Sequence, residues 1–156
     1  MTKLILMADG GSRGNPGKAA FGVLVWTGGH FVISNSVIEA SSYQTVCACD
    51  STWSDAEYIG IATNNVAEWQ GLIHGLEWIA SNYELSQIHL QIVLDSKLVI
   101  EQARGKWQIK QDHLKPLASQ AKEILVKIGR VEYQHIFREY NKLADALVNK
   151  VLDQVK

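Results

Sequence analysis

No uninterrupted apolar run in this chain approaches the roughly 20 residues needed to cross a bilayer, so the sequence offers neither a membrane span nor a membrane partner. Cysteine is scarce. Cys47 and Cys49 stand two positions apart with no second cysteine pair and no histidine cluster beside them, which argues against a disulfide framework and against a zinc site. Charge of either sign is not in excess: 15 Lys and Arg face 16 Asp and Glu, for a net charge of −1. Without a global positive field to draw in a polyanion, any nucleic-acid contact has to be local, which disfavours a simple basic binding module. Internal repeats, low-complexity tracts and interdomain linkers are also missing. Nor does the start read as a signal peptide, because Met1-Thr2-Lys3 leads into a short apolar run, Leu4 to Ala8, that ends at Asp9-Gly10-Gly11. The expectation is a soluble, cytoplasmic, monomeric protein.

What is there suffices for one core. The chain has 156 residues, 47% of them hydrophobic, and a single domain over residues 1–156 is the natural reading. Residues 3–9 read as a strand, with Phe21 to Trp26 and Phe31 to Ile38 as two more around the turn signal Gly28-Gly29, an antiparallel meander. Ser41 to Ala62 mixes small, polar and aromatic residues and reads as a loop or hairpin extension.

From Val66 to Tyr83, the apolar residues Val66, Trp69, Ile73, Leu76 and Ile79 recur at helical spacing. Ile88 to Leu94 alternates as a strand ending at Asp95, with Ser96 placed to cap a short helix over Leu98 to Ala103. Leu114 to Ile128 forms another amphipathic helix closed by Gly129. Val131 to Phe137 is a last strand, and a final helix begins near Asn141. This order predicts a mixed α/β sheet with helices packed on it.

Asp9 and Asp95 share a structural address in that scheme, since each ends a strand. If the two strands are parallel neighbours, both carboxylates sit at one sheet edge, where α/β proteins place their sites, and their repulsion calls for a cation. Singly, each aspartate does no more than start a turn or cap a helix. Glu68, three residues after Asn65, reads alone as half of a capping arrangement, and Asp145 as a favourable charge early in the last helix.

Taken together they form a recognisable series: Asp9-Gly10-Gly11-Ser12-Arg13-Gly14-Asn15-Pro16-Gly17, Thr63-Asn64-Asn65-Val66-Ala67-Glu68, Asp95-Ser96, and Arg138-Glu139-Tyr140-Asn141-Lys142-Leu143-Ala144-Asp145. In that order, and over nearly the whole chain, these motifs resemble those of the ribonuclease H type 1 family. The resemblance implies a ribonuclease H-like α/β fold: a five-stranded mixed sheet, three antiparallel strands then two parallel, with helices on both faces. It implies an endoribonuclease acting on the RNA strand of RNA/DNA hybrids, with double-stranded RNA as a second candidate partner, and leaving 5′-phosphate and 3′-hydroxyl ends. Two magnesium ions, or manganese in their place, would be held by Asp9, Glu68, Asp95 and Asp145. Hard oxygen ligands without a His or Cys cluster fit that choice of metal.

On the same resemblance, Gly10, Gly11 and Asn15 would face the RNA, with the glycines also serving as turn formers. Thr63, Asn64 and Asn65, at a helix N-terminus, would receive a DNA-strand phosphate, although N-capping alone explains Asn64 and Asn65 as well. Two departures stand out. The loop before the last helix carries Arg138 where many members carry a histidine, so Arg138 is the candidate for contacting phosphate, while His135 falls within a predicted strand and reads as structural. The basic protrusion of larger members is reduced to Arg104–Lys110, where Trp107 either packs on sugars or pins the loop to the core. A modest affinity with a shallow salt dependence follows. A hybrid-binding module without turnover, and a related nuclease for other duplexes, are the competing readings; the first usually lacks a carboxylate, and here all four are present.

Overall fold

The computed structural model describes residues 1–27 and 51–155. Five strands form one sheet: β1 (Thr2–Arg13), β2 (Gly17–Thr27), β3 (Trp53–Ala62), β4 (Ile88–Leu94) and β5 (Arg130–His135), in the spatial order β3-β2-β1-β4-β5. The pairs β1/β2 and β2/β3 are antiparallel, whereas β1/β4 and β4/β5 are parallel. Among the described residues four α-helices accompany them: α1 (Asn64–Asn82), α2 (Lys97–Ala103), α3 (Lys115–Leu125) and α4 (Lys142–Gln154).

The central strand explains the layering. Leu4, Ile5, Leu6, Met7 and Ala8 are all fully buried because β1 is covered on both sides, so its sequence reads as a continuous apolar run and not as an alternation. Leu4, Leu6 and Ala8 join Trp69, Leu72, Leu76 and Ile79 of α1, Val99 and Ile100 of α2 and Ala121 of α3 in the larger core. Ile5 and Met7 turn to the opposite face, where with Leu24, Trp26 and Val93 they meet Ala144 of α4. Helices therefore lie on both faces, as the sequence predicts.

The third strand is placed differently from the reading above. Among the described residues the strand paired with β2 is Trp53–Ala62, inside the segment read as a loop or extension, while the strand expected over Phe31 to Ile38 lies outside the described residues. Elsewhere the differences are small. β1 runs on through the glycines to Arg13, α3 ends at Leu125 in a tightened turn before Gly129, and β5 stops at His135, not Phe137. No helix is long and apolar enough to cross a membrane among the described residues.

Candidate active site

Register brings the first two carboxylates together. β1 and β4 pair in parallel up to Ala8 beside Leu94, so the next residue of each chain, Asp9 and Asp95, emerges at the same edge of the sheet. Ser96 then accepts a hydrogen bond from the Val99 amide at 3.2 Å and starts α2, which turns the chain away and leaves Asp95 at the strand end.

Two glycines let helices in close enough to add the other two. A Cβ on Gly10 would stand 2.3 Å from the backbone nitrogen of Glu68 and 2.4 Å from the carbonyl carbon of Ala67, so only glycine permits the first turns of α1 to rest against β1 there. Gly22, paired with Asp9 across β1/β2, does the same for α4: its Cβ would lie 2.6 Å from the Ala144 carbonyl oxygen, one residue before Asp145. Glu68 and Asp145 thus approach Asp9 from two helices on opposite faces of the sheet.

Asp9, Glu68 and Asp95 each present a carboxylate oxygen, and these oxygens lie within 4.8 Å of one another. Asp9 and Glu68 are each only 4% exposed. Burial raises the Asp9 carboxyl from its ordinary value to about 7; a hydrogen bond with Glu68 works the other way, and the charges of Asp95 and Asp145 add to the rise. Burial, then the charge of Asp9, push Glu68 upward as well. Burial also raises Asp95, against hydrogen bonds from Asn141 and Glu68 and the charge of Arg138. Buried carboxylates this close cannot all ionise unaided, and Oε2 of Glu68 has no hydrogen-bond partner in the protein. An orphaned buried oxygen in an all-carboxylate donor set fits a hard divalent cation. A second acidic group with an imidazole, Asp55, Glu57 and His74, is closed on itself by a 2.6 Å hydrogen bond between His74 Nε2 and Asp55 Oδ2.

Arg138 lies in a single 3-10 turn, Arg138–Tyr140, where its charge acts on Asp95. His135, the last residue of β5, hydrogen-bonds the Asp95 carbonyl oxygen through Nε2 at 3.1 Å. Gly10 and Gly11 belong to β1 and form no turn, a correction to the role expected of them; Gly10 serves close packing instead. Thr63 is the N-cap of α1, accepting from the Val66 amide at 3.3 Å, so Asn64 and Asn65 are the first helical residues and not the cap, and Glu68 takes no part in capping. Asn64 instead ties three segments: its Oδ1 accepts from the Ser12 amide at 2.8 Å and its own amide donates to Asn15 Oδ1 at 3.1 Å. Trp107 is 45% exposed and stands apart from the core packing, in which Ile109 anchors the loop.

One residue escapes a sequence reading. Asn141 is fully buried; its Nδ2 donates to the Ala8 carbonyl at 2.9 Å and to Asp95 Oδ2 at 3.2 Å, locking the end of β1 to the Asp95 carboxylate. Its only advance signal is its place after Tyr140 in the last motif.

Known proteins share this fold. The family model described as "Reverse transcriptase-like" matches residues 45–151. The bifunctional protein Rv2228c of Mycobacterium tuberculosis is 39% identical over 151 residues, which are 97% of this chain and 36% of that protein. The chain thus spans little more than a third of the length of its mycobacterial relatives. The solved N-terminal RNase H domain of Rv2228c, as a fusion with maltose binding protein, superposes with a TM-score of 0.80 at 35% identity, covering 98% of this chain and 95% of that one. RNase H1 from Halobacterium salinarum gives a TM-score of 0.76 at 30% identity, covering 98% and 99%. LC11-RNase H1, solved in complex with an RNA/DNA hybrid, gives 0.76 at 30% identity, covering 97% of each. With the sheet order, the carboxylate edge and these likenesses in agreement, the chain belongs to the type 1 ribonuclease H family.

Proposed function

We propose that this chain is an endoribonuclease that hydrolyses the RNA strand of RNA/DNA hybrids and leaves 5′-phosphate and 3′-hydroxyl ends. The observation that carries the reading is the meeting of Asp9, Glu68 and Asp95, with ligating oxygens within 4.8 Å, in a pocket that Asp145 joins from the last helix. The complex of LC11-RNase H1 with a hybrid supports the substrate class.

Two magnesium ions, with manganese as substitute, would supply an activated water on one side of phosphorus and stabilise the leaving oxygen on the other, a task for metals about 4 Å apart. Asp9 is central, facing Glu68 on one helix and Asp145 on another, and would hold the ions together with Glu68, Asp95 and Asp145. Asn141 fixes the Asp95 carboxylate, and His135 holds the Asp95 backbone, which leaves it a supporting part and no role as general base. Arg138 offers its guanidinium to a phosphate oxygen of the substrate.

Sugar type can be sensed because only RNA presents the 2′-hydroxyl across a wide, shallow minor groove. Gly11 and the amide nitrogen of Asn15 are the groups offered to the RNA, and Gly10 contributes backbone atoms alone. Thr63, Asn64 and Asn65, at the start of α1, suit a DNA-strand phosphate, since exposed helix N-termini attract anions. Trp107, flanked by Lys106 and Lys110, is exposed enough to pack on a sugar.

The test is to incubate the protein with labelled RNA/DNA hybrid, double-stranded RNA and double-stranded DNA, with magnesium or with chelator, beside Asp9→Asn. Selective loss of the RNA strand of the hybrid, abolished by chelator and by the substitution, is the expected result. Equal cleavage of duplex DNA would overturn the reading.

A further inference from the structure

Phe137 is a large apolar side chain that the fold leaves 66% exposed, two contacts away from the Asp95 backbone. The chain of contacts is short. His135 holds the Asp95 carbonyl at 3.1 Å, and the Phe137 ring meets the His135 ring edge-on at 5.9 Å. Phe137 also meets Tyr140 at 6.5 Å, and the residue after Tyr140, Asn141, binds the Asp95 carboxylate. Arg138, adjacent in sequence, acts electrostatically on the same carboxylate. An exposed ring already packed near two aromatic neighbours loses little freedom when something covers it, so most of the burial is available to binding.

We infer that Phe137 packs on the sugar of a nucleotide next to the phosphate bound at the carboxylates, and that it sets affinity for the hybrid without setting the rate of hydrolysis. This rests on the nuclease reading above. In a hybrid duplex the bases are stacked within the helix, and sugar faces lie open along the shallow minor groove, so an apolar ring reaching it meets a sugar and not a base. The ring carries neither charge nor a mobile proton, so it contributes contact and no chemistry. Being apolar, that contact is insensitive to ionic strength, unlike one made by the neighbouring Arg138.

The experiment compares wild type, Phe137→Ala, Phe137→Tyr and Phe137→Leu for steady-state cleavage of a hybrid with magnesium, and for equilibrium binding of the same labelled hybrid by anisotropy. Phe137→Ala should raise KM and the dissociation constant on the order of fivefold while kcat stays within twofold. Phe137→Tyr should restore both, Phe137→Leu only in part, and the ratio to wild type should be the same at low and high salt. The melting temperature should not move, because the ring is exposed. Unchanged KM and binding, a fall in kcat with KM constant, or a loss that tracks a lower melting temperature overturns the inference. If wild type binds but does not cleave the hybrid, the nuclease reading falls while weakened binding by Phe137→Ala still upholds the contact; if wild type neither binds nor cleaves, both fall.

Discussion

Single residues decide whether the pocket exists. Gly10 has the clearest role, because the space of its missing Cβ is taken by the backbone of Ala67 and Glu68. Gly10→Ala should therefore push α1 off β1, lower stability by about 3 kcal/mol, as overpacking against backbone does, and reduce hydrolysis further by moving Glu68 from Asp9. Denaturant unfolding and kcat together check this: a stable, fully active Gly10→Ala protein would contradict the packing account. The motif made Gly10 visible in the sequence, but not its purpose, since a glycine needed for close approach and one needed for a turn look alike in one dimension. The role of Asn141 was not legible for a related reason. A buried asparagine is recognised by what it bonds, and its partners Ala8 and Asp95 are distant in sequence.

At the scale of elements, the four carboxylates come from β1, α1, β4 and α4, so folding itself presses like charges together. Sequence periodicity placed α1 and β4 within a residue or two, because the apolar residues of α1 recur at helical spacing and those of β4 largely alternate with polar ones, and the last helix starts one residue from the expected Asn141. It failed at β3, an edge strand whose Asp55, Glu57 and Ser54 interrupt the alternation and whose burial is only partial along its length. The crowding has a pH signature. Asp9 titrates near 7 in the folded chain and near its ordinary 3.8 when unfolded, with Glu68 and Asp95 also raised. Between those values the native state holds more protons at these groups than the unfolded state, so their contribution to stability is largest below about pH 4 and declines toward pH 7. Melting in chelator across that range should show the decline, and adding magnesium near pH 7.5 should restore stability, because ions bind the deprotonated native site. A melting temperature indifferent to magnesium would count against the site.

For the whole molecule, the mixed α/β layering was legible in the order of elements, and the three-antiparallel-then-two-parallel sheet only through the motif resemblance; the parallel pairing of Leu4–Ala8 with Ile88–Leu94 stood as a condition that the structure meets. What the chain does with its even charge was less legible: Trp107 was visible as a candidate but its two roles were separated only by its exposure, and Phe137 stands out only once burial is known. Everything functional depends on the carboxylate edge holding divalent ions. The most direct measurement is anomalous diffraction from crystals soaked in manganese with a hybrid bound to the Asp145→Asn protein, which slows turnover while leaving three ligands in place. The account predicts manganese density among Asp9, Glu68 and Asp95, with two peaks about 4 Å apart astride one RNA phosphate. Density confined to other acidic surfaces, with those three carboxylates empty, would contradict it.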